Sequence, residues 1–223
     1  MSLYYEDEFV QLHHGDCRAI RGWTLADVLV TDPPYGMGYE SNRNRLAKRG
    51  VPKVGRPVAG DKDTGARDDV LELWGDRPAL VFGKWTIPRP DGTRARLVWD
   101  KRVQGTGDLS IPWGPTDEEI YVIGAGFLGK RESNVIQAQM LMSNDSSRPD
   151  HPTPKPVALM EALIEKCPPG VIADPFAGSG ATLIAARNLG RKVIGVELEE
   201  RYCELIVKRL AQQAFNFEDL ETA

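Results

Sequence analysis

Apolar positions in this chain fall into short dense runs separated by longer segments of helical spacing. Ala26-Asp27-Val28-Leu29-Val30-Thr31, Ala79-Leu80-Val81-Phe82-Gly83 and Val171-Ile172-Ala173 are too short for helices and read as buried strands. Arg96 to Lys101, Glu118 to Gly124 and Lys192 to Glu197 read the same way, and Asn134 to Gln137 is a weaker strand. Asp68 to Gly75, Val157 to Ile164, Ala181 to Leu189 and Glu199 to Gln213 carry apolar residues three and four apart, the period of a helix. Pro168-Pro169-Gly170 and Gly190 mark two helix ends. The first segment predicts a strand from Phe9, a turn at His14-Gly15-Asp16 and a short helix near Arg18 to Trp23. Strands separated by helices predict an α/β fold whose mostly parallel sheet is covered on both faces. Residues 37–67 and 125–150 lack periodicity and read as long loops. No repeat and no linker divides the chain, so 1–223 is expected to be one domain.

Composition narrows the class of protein. With 223 residues and 41% hydrophobic content the chain supports one packed core. No window approaches the roughly 20 apolar residues that span a bilayer, and the N-terminus lacks a signal-peptide pattern. Cys17, Cys167 and Cys203 are an odd number without metal-type pairing, which predicts buried small hydrophobes in a reducing cytosol, with no disulfide framework and no metal site. The net charge of −4 hides an uneven distribution. Between Met37 and Arg67 eight basic residues face three acids, whereas Glu197 to Glu221 holds seven acids against three bases. Arg43, Arg45, Lys48, Arg49 and Lys53 are the candidates in that basic loop for contact with nucleic-acid phosphates. An ordinary solvated loop would look similar; its place directly after Tyr35 argues for contact.

Asp32-Pro33-Pro34-Tyr35 closes the first buried run. Two prolines neither continue a strand ladder nor enter a helix interior, so the chain leaves the sheet there in an extended turn. That places a carboxylate, a carbonyl and an aromatic ring at the carboxyl edge of the sheet, where open α/β folds bind ligands. Acceptors beside a flat ring suit a planar group bearing –NH2, such as a nucleobase taken from its stack. A plain strand exit would also use Asp-Pro.

Val171 to Glu197 forms a strand, a glycine loop, a helix and a second strand, half of a Rossmann unit. Gly178 and Gly180 allow close backbone approach to a ligand. Glu197 lies 19 residues beyond Gly178, near the spacing at which an acid meets ribose hydroxyls. A dinucleotide fingerprint requires a third glycine where Leu183 stands, and Asp174 would repel a pyrophosphate. No Gly-Lys-Ser/Thr follows, which excludes a Walker loop. A carboxylate at the loop suits a cofactor with a positive end, and S-adenosylmethionine carries both an ammonium and a sulfonium.

Together these residues strongly resemble the amino-methylating DNA methyltransferases, with their Asp-Pro-Pro-Tyr and Phe-x-Gly-x-Gly motifs. The order, Asp32 to Tyr35 early and Phe176 to Gly180 late, resembles the circularly permuted β-class. Gly15-Asp16, His151-Pro152-Thr153-Pro154-Lys155-Pro156, Phe82-Gly83, Trp99-Asp100-Lys101 and Glu118-Glu119-Ile120 are similar to further family motifs, so the resemblance covers nearly the whole chain. It implies a Rossmann-like fold with a mostly parallel seven-stranded sheet, and methyl transfer from S-adenosylmethionine to the amino group of a flipped base in double-stranded DNA. It assigns catalysis to Asp32, Pro33, Pro34 and Tyr35: the Asp32 carboxylate and Pro33 carbonyl accept from the amino group, and Tyr35 stacks on the base. It assigns the cofactor to Asp16 at the adenine end, Glu197 on the ribose, Asp174 at the amino group and Phe176 on the methionine arm. Gly178, Gly180 and Thr182 complete that loop, with Thr153 and Lys155 near the methionine carboxylate. Asp at position 32 is the form most associated with N6 of adenine; N4 of cytosine is the alternative. Residues 103–150 are expected to read the target, and relatives that are often dimers extend a homodimer to this chain as an expectation. A prokaryotic or phage-infected cytoplasm is the implied setting.

Other readings share parts of this pattern. A silent DNA- or cofactor-binding module would keep the fold without turnover. A methyltransferase of glutamine amides or RNA bases would use the same amino-group logic, usually with Asn at position 32. A nicotinamide dehydrogenase would need the missing glycine. Lys84 and Trp85 after Phe82-Gly83 read either as a DNA-facing loop or, the favoured reading, as a solvated lysine beside a core tryptophan, and His151 reads as a structural hydrogen-bonding residue.

Overall fold

The computed structural model describes residues 2–35, 40–41, 56–57, 63–105, 107, 109–142, 145 and 148–221. Its elements begin β1 (Ser2–Glu6), β2 (Val10–His14), β3 (Val28–Thr31), β4 (Glu40–Ser41), β5 (Arg56–Pro57), α1 (Gly65–Trp74), β6 (Ala79–Gly83) and β7 (Thr93–Asp100). They continue β8 (Asp117–Ile123), β9 (Val135–Gln137), α2 (Val157–Ile164), β10 (Ile172–Asp174), α3 (Ala181–Asn188), β11 (Val193–Glu197) and α4 (Glu200–Glu221).

Among the described residues, nine strands form one sheet in the order β1-β2-β11-β10-β3-β6-β8-β7-β9, while β4 and β5 pair separately. The inner seven are the expected sheet, and β1 and β9 add a strand at each edge. β1 was not foreseen. It turns back antiparallel onto β2 because the Asp7 carboxylate accepts from the Phe9 and Val10 amides at 2.9 and 2.8 Å, closing a turn that carries no glycine or proline. Pairing is parallel from β2 through β11, β10 and β3 to β6, then antiparallel at β8.

Alternation along β3 explains the two layers. Val28 and Val30 face a core built with Leu159, Leu163, Ile184 and Ile206 from α2, α3 and α4. Leu29 faces the opposite core, with Val70 and Trp74 of α1 and with Trp23. Trp23 and Trp74 stack at 6.1 Å there, and truncating either to Ala removes on the order of 3–5 kcal/mol. The helix expected near Arg18 to Trp23 is instead a turn followed by a short 3-10 helix at Gly22–Leu25. The Trp23 indole, donating to the Cys17 carbonyl at 2.8 Å, holds this compact form. All three cysteines are buried and free.

Two features position the site. From β10 the chain passes through α3 to β11 on one side, whereas from β3 it passes through α1 to β6 on the other. β3 and β10 are adjacent parallel strands, so the crevice outside their carboxyl ends is the topological switch point of the sheet. Among the described residues, no helix is long and apolar enough to cross a membrane.

Candidate active site

β3 delivers Asp32 to the crevice, and the two prolines then carry the backbone out of the sheet. Asp32 is bonded on both oxygens. The Tyr35 hydroxyl donates to Oδ1 at 2.7 Å, and the Lys155 ammonium lies 2.6 Å from Oδ2. Lys155 also pairs with Glu118 at 3.1 Å, and Lys101 holds the other Glu118 oxygen at 2.8 Å. Lys155 is buried, yet Asp32 keeps 24% of its side-chain surface, so its carboxylate still faces the crevice. Burial raises the Asp32 carboxyl above the usual range, with Lys155 opposing. Burial would likewise raise Glu118, but Lys155 and Lys101 hold it lower. Burial lowers a lysine's affinity for its proton; here the Asp32 and Glu118 charges more than offset that and keep Lys155 ionised.

β10 delivers Asp174, and its partners are of a different kind. Its carboxylate accepts from the Thr31 hydroxyl at 2.7 Å and the Phe176 amide at 3.1 Å, with the Thr182 hydroxyl a further donor. Burial pushes this carboxyl up to about 6. Glu197, at the end of β11, accepts from the Gly178 amide at 2.7 Å and the Glu199 amide at 2.8 Å, and burial pushes it up to about 7. Neither acid forms an ion pair among the described residues. The loop between them depends on left-handed glycines. Gly178 has φ +52° and faces His151, while Gly180, at φ +79°, leads into α3 with Ile206 where a Cβ would stand. His151 is held neutral, its pKa pushed down to about 3 chiefly by burial, and its ring meets Tyr202 edge-on at 4.6 Å.

The two corners line one cavity of about 530 Å³, within the range of small-molecule sites. Its wall includes Asp32, Pro33, Pro34 and Tyr35 from the first corner, and Asp174, Phe176, Gly178, Thr182 and Glu197 from the second. Asp16, Thr153 and Lys155 line it as well; Gly180 sits behind, shaping the turn. The Thr31–Asp174 hydrogen bond joins the two corners directly. Asp16 is held by Arg18, whose guanidinium depresses its carboxyl pKa.

Several placements differ from expectation. Lys155, expected near the carboxylate of a methionine moiety, lines the cavity and there bridges Asp32 and Glu118, two partners the sequence did not suggest. Tyr35 spends its hydroxyl on Asp32. Trp85 is no core residue: it is 76% exposed at the cavity rim, because β6 ends at Gly83. Residues 103–150 contain β8, an inner strand of the sheet, and β9 at its edge, so among the described residues only the connections around these two strands lie off the sheet. Arg43, Arg45, Lys48, Arg49 and Lys53 lie outside the described residues. Glu118 and Lys101 were missed as site residues, although three consecutive acids, Asp117 to Glu119, opening an otherwise apolar strand were a signal. Strand alternation sends Glu119 to Tyr121 and Arg96 and leaves Glu118 on the cavity side.

Known sequences and solved structures resemble this chain. YubD of Escherichia coli (strain K12), described as a methylase, is 30% identical over 88% of this chain and 88% of its own. The type II methyltransferase M.ScaI of Streptomyces caespitosus is 27% identical over 95% of this chain and 84% of its own. The solved M1.HpyAVI–SAM complex superposes with a TM-score of 0.60 at 21% identity, over 90% of this chain and 99% of that one. The cytosine-N4-specific PvuII DNA methyltransferase superposes at 0.63 and 14% identity, over 92% of this chain and 87% of that one. These two establish the fold as that of the DNA methyltransferases. A profile of the N6/N4 DNA methylases matches residues 61–208, spanning the α1 to α4 half of the switch-point crevice, and the chain belongs to that DNA methylase family.

Proposed function

We propose that the protein methylates the exocyclic amino group of a base extruded from double-stranded DNA, N6 of adenine, using S-adenosylmethionine. The observation that supports this most is the single cavity in which Asp32 and Asp174 are linked through Thr31. S-adenosylmethionine supplies an electrophilic methyl group on a sulfonium. The residues fit that cofactor: Asp174, a buried acid held by neutral donors, suits its ammonium, Glu197 can accept from its ribose hydroxyls, and left-handed glycines let backbone approach it. Asp174 takes the ammonium, Glu197 the ribose hydroxyls, Asp16 the adenine end and Phe176 the methionine arm, with Thr153 and Thr182 on the same wall.

A base amino nitrogen is a weak nucleophile because its lone pair is delocalised into the ring. Asp32 and the Pro33 carbonyl accept its two N–H bonds, favour pyramidal nitrogen and offset the positive charge that develops there. Tyr35 supplies the ring against which the base rests. Alignment of nitrogen and methyl supplies most of the acceleration. Adenine is favoured because Asp stands at position 32. Basic residues 43–53 contact the DNA phosphates, and the connections flanking β8 read the target. Trp85 at the rim and Trp113, each 76% exposed, offer stacking surfaces to bases beside the site. A homodimer follows the habit of relatives.

The test is methylation of plasmid DNA followed by nucleoside mass spectrometry. N6-methyladenine supports the proposal in full. N4-methylcytosine would transfer the mechanism to the other base, and labelled cofactor that enters RNA or protein but no DNA would overturn it.

A further inference from the structure

The carboxylate that must receive the amino group is already engaged by a cation. Lys155 Nζ lies 2.6 Å from Asp32 Oδ2, in the place where an amino hydrogen would be accepted. An ammonium–carboxylate contact is about twice as strong as one to a neutral donor, so a base does not displace Lys155 by strength alone. Nor does Lys155 simply leave. It is 6% exposed, enclosed by the rings of Phe82, Tyr35 and Trp99, and an unpaired ammonium there is costly.

Glu118 resolves this conflict. Its Oε2 is 3.1 Å from Nζ, already within ion-pair reach, and its Oε1 is anchored by Lys101 at 2.8 Å. The four charges, Lys101, Glu118, Lys155 and Asp32, form a balanced row that ends at the acceptor. A small swing of the lysine along that row keeps the ammonium paired, while Asp32 retains the Tyr35 hydroxyl and receives the amino group in its place. We propose that Glu118 is a positioning residue that takes over Lys155 when the target amino group reaches Asp32. This inference rests on amino-group methylation as the reaction.

The test compares Glu118→Gln, Glu118→Asp and Lys155→Met, and the double variant, in single-turnover methylation of DNA with saturating cofactor. E118Q slows transfer by roughly tenfold to a hundredfold, the scale on which misplaced reacting groups act. Its affinity for S-adenosylmethionine, by calorimetry, and its Tm stay at parental values, and E118D restores most of the rate. In the K155M background, with no ammonium to receive, E118Q adds no further loss. A parental rate in E118Q would overturn the inference, as would losses that add independently in the double variant. So would an E118Q defect that tracks lowered Tm or cofactor affinity, which would make Glu118 a scaffold residue. Failure of the amino-methylation reading is distinguishable, since the parent protein itself would then leave DNA unmodified.

Discussion

The two corners of the cavity hold carboxylates with opposite kinds of partner, cationic at one and neutral at the other. At the end of β3, Asp32 and Glu118 are matched by Lys155 and Lys101. At the end of β10 and β11, Asp174 and Glu197 are held, among the described residues, only by amides and hydroxyls, and burial raises both. A compensated corner is indifferent to added charge, and its carboxylate remains an acceptor for neutral donors. An uncompensated corner gains most from a ligand that brings the missing cation. The difference therefore separates two tasks, receiving an uncharged base and holding a positively charged cofactor, along one crevice.

The largest break in this contrast comes from Asp32→Ala. It removes the acceptor from the compensated corner only. Methyl transfer is expected to fall by roughly 10²–10³ or more, as when one preorganised charge-stabilising group is lost. Calorimetric affinity for S-adenosylmethionine is expected to persist. A D32A protein that still transfers labelled methyl to DNA at the parental rate would detach this corner from the chemistry.

Asp174→Asn strikes the other side. It preserves shape while removing a charge, and cofactor affinity is expected to fall about tenfold to a hundredfold, the worth of one hydrogen bond to a charged group. The pH dependence carries a sign. The folded Asp174 carboxyl, at about 6, holds its proton more tightly than its ordinary value of 3.8. The stability of the ligand-free protein attributable to this group is thus full below about 4 and declines as pH rises towards 6. Cofactor affinity runs the opposite way, strengthening as Asp174 and then Glu197, at about 7, ionise. Titrations between pH 5 and 8 are expected to show that rise in the parent and a shallower one in D174N. An affinity independent of pH would place the cationic end elsewhere.

Gly180→Ala sharpens the backbone part of the comparison. With φ +79° and Ile206 Cγ1 2.8 Å from the added methyl, the variant is expected to lose roughly 1–2 kcal/mol from the left-handed residue, and more from crowding. Thermal unfolding is expected several degrees lower, at about 2–4 °C per kcal/mol for a chain of this size. An unchanged Tm would mean that the loop relaxes into another turn.

The sequence was informative in proportion to how local each feature is. The glycine loop, the diproline exit and the helix Val157–Ile164 are dictated by residues within a few positions, and the structure has them where expected. The adjacency of the corners was legible through topology, since β3 and β10 are both buried runs that lead into an acid, Asp32 directly after β3 and Asp174 at the end of β10. What escaped was non-local. Lys155 lies 123 residues from Asp32, and only the fold shows that its ammonium reaches across to that carboxylate. Glu118 depends on which of two adjacent acids faces inward, a matter of strand register. β1 was hidden because Asp7 makes the turn with its side chain, without the usual glycine or proline. Trp85 misled because tryptophans are mostly interior; three of the chain's five, Trp23, Trp74 and Trp99, are indeed buried.

Trp85 also gives the finest discrimination between the corners. It stands at the rim two residues beyond β6, whose neighbours in the sheet are β3 and β8, so it belongs to the base-receiving side. Stacking of one base on an aromatic ring is worth about 1–3 kcal/mol, and a solvent-exposed ring falls at the low end. Trp85→Ala is therefore expected to weaken DNA binding about fivefold to tenfold while cofactor affinity stays unchanged. Fluorescence supplies the independent readout, since the exposed Trp85 and Trp113 are the indoles open to quenching by bases. DNA is expected to quench the parent more than W85A. Equal quenching in both would move the contact to Trp113 and the loop before β8; loss of cofactor affinity in W85A would show that the rim serves both corners at once.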